Sequence, residues 1–319
     1  MLRVRGFLML ALFFYTLNCA MAQAGQVEIE RFRTEYPEAS RRLMSRYAQV
    51  NGSCRVSVTE VDNSHLDKER ISFAVDHSLR KLTSVAEPTA GHAGVHEEIV
   101  DCFNSKGSFS LKRTPGSADY MIIEFGPPDT KFDHFARHLG RFLDSPFRVN
   151  ILSIAEEAAL PSFQILSAQS IDYKGISCLE VNYKVSEPDD PSLINTVSLI
   201  LDPNYSWVIR RSRFQPGGAP GIEIITDVSY SQDLSDVPIL KKVFVQDMDG
   251  TDKLLDFERV ALAPTPATEF ELPYYRLPDV LTDSKITPRN HTTGWLIGIG
   301  LVGLILALGL RRVAGSGTR

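Results

Sequence analysis

Cysteine is scarce: there are four in 319 residues, and with Cys19 in the leading apolar stretch only Cys54, Cys102 and Cys178 fall in the body of the chain. An odd, small number leaves room for at most one internal bridge, which excludes a scaffold built from disulfides. The sequence also lacks G-x-S-x-G, H-E-x-x-H, a P-loop and C-x-x-C. The usual routes to an activated serine, a catalytic zinc, a bound nucleotide or a redox dithiol are therefore not offered, and an enzyme is not expected. There is no internal repeat and no low-complexity block, which removes solenoids and propellers.

A strong charge of one sign is missing overall but not locally. Five of the 34 Lys and Arg (Arg3, Arg5, Arg311, Arg312 and Arg319) lie in the terminal segments and none of the 39 acids does, so the middle of the chain carries a net −10. An acidic surface repels phosphate backbones and anionic headgroups, so no nucleic-acid partner is expected.

The two ends carry the clearest organisation. Arg3 and Arg5 precede an apolar run from Phe7 to Leu17 and the small-x-small site Ala20-Met21-Ala22, the three-part layout of a secretory signal, so residues 1–22 are expected to be removed. Cys19 has Thr16 and Asn18 where a lipid-modified cysteine would have Leu and a small residue. At the other end Trp295 to Leu310 is uncharged and stops at Arg311-Arg312. At about 1.5 Å per residue this run covers roughly 24 Å, so the expected transmembrane helix, 294–310, is short. The basic tail 311–319 belongs inside under the positive-inside rule. Residues 23–280 then form an extracytoplasmic β-rich domain, with 281–293 as linker, in a single-pass type I protein of the cell membrane.

Along that domain, Pro37 suits a first helical residue, and Leu43, Tyr47 and Val50 follow at helical spacing before Asn51-Gly52, which reads as the stop. The period then changes. Strands are expected at Cys54–Val61, Ile71–Val75, Lys81–Val85, Glu98–Phe103, Ser108–Arg113 and Tyr120–Phe125, with the hairpin turn Asn-Ser-Lys-Gly between the fourth and fifth. Helical character returns in Lys131 to Leu143, where Phe132, Phe135, Ala136, Leu139, Phe142 and Leu143 share one face. A weaker helix spans Ile151 to Leu160 and closes at Pro161. Strands resume at Gln164–Gln169, Ile176–Val185, Val197–Leu201, Ser206–Phe214, Ile222–Ser229, Ile239–Gln246 and Lys253–Ala261. Successive strands without helices between them predict an antiparallel sheet. If one bridge forms, the expected pair is Cys54 with Cys102, since both precede the helical insertion and Cys178 follows it.

A leading helix, a run of strands, a helical insertion ending in Pro161-Ser162-Phe163-Gln164-Ile165-Leu166 and a second run of strands together resemble the periplasmic lipoprotein-carrier, or LolA-like, half-barrel. The segment Leu199 to Arg211, LILDPNYSWVIRR, is similar to that family's strand, Asp-Pro turn and strand. The resemblance implies an α+β fold: a curved antiparallel sheet whose few helices cover an apolar cleft, here with one C-terminal transmembrane helix added. It also implies a lipid or lipidated peptide as partner, with Phe132, Phe135 and Leu139 lining the cleft. The alternative is a structural or interaction module with the same sheet and a filled core. A shorter segment, FELPYYRLPDV from Phe270 to Val280, resembles a Phe-x-Leu-x-x-aromatic-Gly-Leu-Pro-acidic element of membrane-anchored exported proteins. Arg276 stands where that element has Gly, and Phe270 and Leu272 alternate as a last edge strand would.

Three groups have the composition of metal sites and are set aside. His134 and His138 share a helix face with Arg137 and Arg141, whose charges oppose a dication. His92 and His96 with Glu97 and Glu98 have no third ligand placed by spacing. Asp247, Asp249 and Asp252 lack the ligand order of a calcium loop and fit a hairpin turn. No metal and no cofactor is expected.

Overall fold

The computed structural model describes residues 2–59, 66–87, 97–127, 141–149, 152–187, 190–219, 221–231, 237–248 and 250–279. The chain divides into two compact units, Met1–Leu277 and Pro278–Arg319, and the sheet with its covering segments belongs to the first.

The described residues open with one helix, α1 (Leu2–Tyr47), and include thirteen strands: β1 (Gln49–Thr59), β2 (Leu66–Asp76), β3 (Leu79–Ala86), β4 (Glu98–Asn104), β5 (Gly107–Arg113), β6 (Met121–Gly126), β7 (Gln164–Tyr173), β8 (Ile176–Ser186), β9 (Ile194–Asp202), β10 (Val208–Gln215), β11 (Ile224–Tyr230), β12 (Leu240–Gln246) and β13 (Asp252–Ala261). All lie in one antiparallel sheet of order β6-β5-β4-β3-β2-β1-β13-β12-β11-β10-β9-β8-β7. Two meanders are thus joined where β13 returns beside β1, and the insertion between β6 and β7 connects the sheet's two edges. Each strand overlaps one of the thirteen runs read from the sequence.

The sheet curls around that insertion. The backbone N–H of Ile209 on β10 donates to Pro146 O at 3.1 Å, while Phe147 and Arg148 share a cleft with Val75 on β2 and Arg80 on β3. Five strand spacings separate β2 from β10, about 24 Å on a flat sheet. Adjacent residues of one segment bridge them because the sheet is curved.

Three local expectations are corrected. Pro37 lies inside α1 rather than at its start, and the helix ends at Tyr47, so Asn51 and Gly52 belong to β1. Gly52 answers a close approach, not a turn: a Cβ there would lie 2.1 Å from Arg259 O and 2.9 Å from Phe73 Cζ. Second, Ser206 and Trp207 are not strand. Both have positive φ, 59° and 58°, the type I′ combination, and Val208 N–H donates back to Tyr205 O. This backbone disfavours a Trp side chain, and it is held because Trp207 is buried edge-on against Phe32 and Tyr36, centroids 6.4 and 6.2 Å away. Third, Phe270 and Leu272 are not a last strand. They lie in the 3-10 turns Ala267–Phe270 and Leu272–Tyr275, because prolines at 264, 266 and 273 supply no N–H for a ladder.

The register separates two cores on opposite faces of the sheet. Cys54 aligns with Ile71 and Ser84, and its face carries α1 and the insertion. Cys102 aligns with Lys81, Ala74 and Asn51, and it points to the convex face, which the 3-10 turns cover. There Tyr275 packs edge-on to Phe109, centroids 6.0 Å apart, and its hydroxyl lies 3.5 Å from Cys102 Sγ. Asn104 Nδ2 donates to Phe270 O at 2.6 Å, and Lys81 pairs with Glu269.

Cys54 and Cys102 are both free and buried, so the expected bridge is corrected. They sit on opposite faces, on strands three spacings or roughly 14 Å apart, and a disulfide tolerates about 7 Å between Cα atoms.

Among the described residues, no helix is long and apolar enough to cross a membrane. The expected linker 281–293, transmembrane helix 294–310 and tail 311–319 lie outside the described residues. Residues 2–22, expected as a signal, are helical and continuous with the rest of α1.

Candidate functional site

The concave face is where a ligand would be held, and most of it is closed. From α1, Phe32, Tyr36, Ala39, Leu43 and Tyr47 form a buried stripe at spacings of three and four, and they meet Val181, Tyr183, Leu199, Ile209 and Trp207 from the second meander. Gly25 packs near Ala168 O of β7, and Ser170 on the same strand donates to Glu28 at 2.7 Å, so α1 starts its crossing at that edge and ends at β1. The insertion closes the next sector with Phe142, Leu143, Phe147, Val149 and Ile154. Ser153 caps the short helix Ile154–Glu157 through a reciprocal capping box with Glu156, which places Glu157 inside the core.

Glu157 is a buried acid there. Tyr183 donates its hydroxyl to Glu157 Oε2 at 2.6 Å, and burial pushes the carboxyl up to about 7. A partner of neutral donor character does not offset the loss of water around a carboxylate.

Space remains at the end of the concave face, on both sides of the last turns of α1. On one side Ser45, Arg46, Gln49, Val237, Ile239, Val260 and Leu262 line a cleft of about 520 Å³. It meets a second cleft of about 190 Å³ at Arg46 and Val237, where Ala39, Arg42 and Leu43 continue the helix wall. On the other side a cleft of about 230 Å³ has Tyr47, Val50, Val75, Leu143 and Phe147 as apolar walls and His77, Arg80, Asp144 and Arg148 as polar ones. The largest volume falls within the range of small-molecule pockets, and apolar walls with a few placed polar groups are the usual lining.

Phe132, Phe135 and Leu139, expected to line the cleft, lie outside the described residues. Two further members of their stripe, Phe142 and Leu143, are buried in the concave core. Among the described residues α1 supplies a buried stripe from Phe32 to Tyr47, which the expected start at Pro37 cut in half. His77, Arg80, Asp144 and Arg148 were not singled out, because they are brought together by the sheet's curl across 71 residues of sequence, from 77 to 148. Of the groups set aside as metal sites, His92, His96, His134, His138 and Asp249 lie outside the described residues. Asp247 pairs with Lys253 at 2.9 Å. Among the described residues no group of three His, Cys, Asp or Glu is placed to hold a metal.

No family model matches the chain, and none of the curated proteins does. Among solved structures it is similar to a putative outer membrane lipoprotein-sorting protein domain from Vibrio parahaemolyticus, at 11% identity over 75% of this chain and 97% of that one, TM-score 0.44. It is similar also to a DUF1329 family protein from Desulfovibrio piger, at 10% identity over 75% and 97%, TM-score 0.41. A LolA superfamily protein from Nitrosomonas europaea is matched at 9% identity over 74% and 98%, TM-score 0.39. At these identities and scores the likeness is one of layout, and no residue's role follows from it.

Proposed function

We propose that this chain is a membrane-tethered extracytoplasmic module, not an enzyme, that holds a hydrophobic or lipidated partner on the concave side of its sheet. One observation carries the reading: clefts of about 520, 190 and 230 Å³, walled by apolar side chains together with polar ones, flank the end of α1. The closed centre of the concave face favours the alternative, a structural or interaction module, for that sector. The binding region is therefore the margin beside α1 rather than the whole interior. The signal layout of 1–22 and the apolar run 294–310 support export and tethering, which bring such a cleft to a membrane surface and disfavour a freely diffusing carrier.

A photoactivatable acyl probe applied to the full chain in detergent tests this. Labelling should map to peptides carrying Ser45 to Gln49 and Val237 to Leu262, and labels confined to 294–310 would overturn the reading. Phe132, Phe135 and Leu139 enter as proposed lining: Phe135→Asp should lower labelling while thermal unfolding stays cooperative, because a buried charge opposes an apolar chain. Unchanged labelling would remove Phe135 from the site.

A further inference from the structure

We propose that the cleft between α1, the β2–β3 hairpin and the insertion takes the oxyanion head of an amphiphile, its apolar chain lying on Tyr47, Val50, Val75, Leu143 and Phe147. This rests on the reading above that the concave margin binds acyl chains, and it adds the chemistry of the head.

Two guanidiniums face this cleft with one carboxylate between them. Arg148 Nη1 lies 3.0 Å from Asp144 Oδ2, and Arg148 Nε is buried and makes no hydrogen bond. Arg80 donates through Nη1 to the carbonyls of His77 and Leu79, and among the described residues it has no ion-pair partner. These carbonyls accept hydrogen bonds but do not neutralise charge. Burial pulls the Arg80 guanidinium below its ordinary range and pushes the Asp144 carboxyl up, so both charges sit where water is partly excluded. His77 is exposed, its backbone held at φ 53° by its own N–H to Ala48 O at 2.7 Å, and its ring lies 3.9 Å from Asp76. Glu156, which acts electrostatically on Asp144 and Arg148, is committed to the Ser153 cap, and Asp76 accepts from Gln49.

The balance is an excess of positive charge inside a cleft of an otherwise acidic domain. A carboxylate or phosphate entering it would accept from the partly exposed guanidinium of Arg148 and from Arg80, forming charge-assisted hydrogen bonds in low-dielectric surroundings. A neutral head would leave both arginines as they are. The apolar walls accept the first part of a chain, and selection of the head by arginine with the chain by Phe147 and Val75 follows from that division.

The test uses the full chain in a non-ionic detergent, with the photoactivatable acyl probe displaced by dodecanoate, dodecyl phosphate or dodecanol. Displacement is read on the peptides carrying Tyr47, Val75 and Phe147. Both anions should compete at concentrations about tenfold or more below dodecanol, the return of one or two hydrogen bonds to charged groups. Arg80→Gln and Arg148→Gln should erase that advantage while dodecanol competes as before. Asp144→Asn should increase it, a gain that misfolding cannot imitate. Carboxylate and phosphate arms that differ from each other identify the head without altering the proposal. Equal competition by all three compounds overturns the head assignment and leaves the acyl-binding reading intact. Labelling elsewhere on the concave margin with none on these peptides overturns the assignment too, whereas absence of labelling anywhere outside 294–310 overturns the acyl reading itself.

Discussion

Tyr183 and Glu157 meet across 2.6 Å in the middle of the concave core, tying the centre of β8 to the one short helix of the insertion that is capped at its start. Burial raises the Glu157 carboxyl from 4.5 to about 7, so the folded chain binds a proton that the unfolded chain has released between those values. Stability therefore falls as pH rises through that window, the sign opposite to that of a salt-bridged carboxylate. Glu157→Gln keeps an acceptor for Tyr183 and removes the titration. Chemical unfolding at pH 5 and pH 8 should show the variant gaining roughly 2–3 kcal/mol over the parent at the higher pH, and much less at the lower. Equal gains at both values would separate Glu157 from the effect.

Arg276 closes the second 3-10 turn at φ 62° and ψ 26°, the left-handed region, and it is exposed. This is the position at which the short C-terminal element that the segment resembles has Gly. The conformation is kept and an arginine bears its cost. Arg276→Gly should raise the unfolding free energy by up to about 1 kcal/mol, the relief of the Cβ clash less the added freedom of the unfolded chain. A loss of stability would mean that the arginine side chain contributes more than its backbone costs.

Phe270 is wholly buried on the convex face, in a turn that lies over the strands carrying Lys81 and Cys102. Phe270→Ala should cost about 3–5 kcal/mol on unfolding. Acyl labelling of the concave margin should persist as long as the variant is folded, since the sheet lies between the two sites. Labelling lost from a folded variant would show that the faces are coupled.

Cys54 and Cys102 are buried thiols pushed up to about 12 by desolvation. Thiols of that kind are inert. Iodoacetamide should modify neither in the native chain and both after denaturation, without prior reduction. A 54–102 cross-linked peptide in a non-reducing digest would contradict the register that puts them on opposite faces.

Much of the fold was legible because its cause is local. Alternation of side chains with period two marks a half-buried strand wherever it occurs, and each of the thirteen strands overlaps an expected run, as β8 does Ile176–Val185 and β13 does Lys253–Ala261. Gly52 and Trp207 were misread for the opposite reason. A glycine that makes room for Arg259 O and Phe73 looks, in sequence, like half of an Asn-Gly turn, and a tryptophan held at positive φ by Phe32 and Tyr36 looks like strand.

By itself the sequence determined an antiparallel sheet in two runs, an insertion between them, an acidic body and two apolar ends, since composition and period along the chain contain these directly. Only the tertiary structure decided which faces Cys54 and Cys102 take, that α1 covers the concave face along a stripe from Phe32 to Tyr47, and that Arg80 stands beside Asp144 and Arg148. Those facts depend on register and on the curl of the sheet, where one residue of slip reverses a face and five strand spacings close onto a single segment.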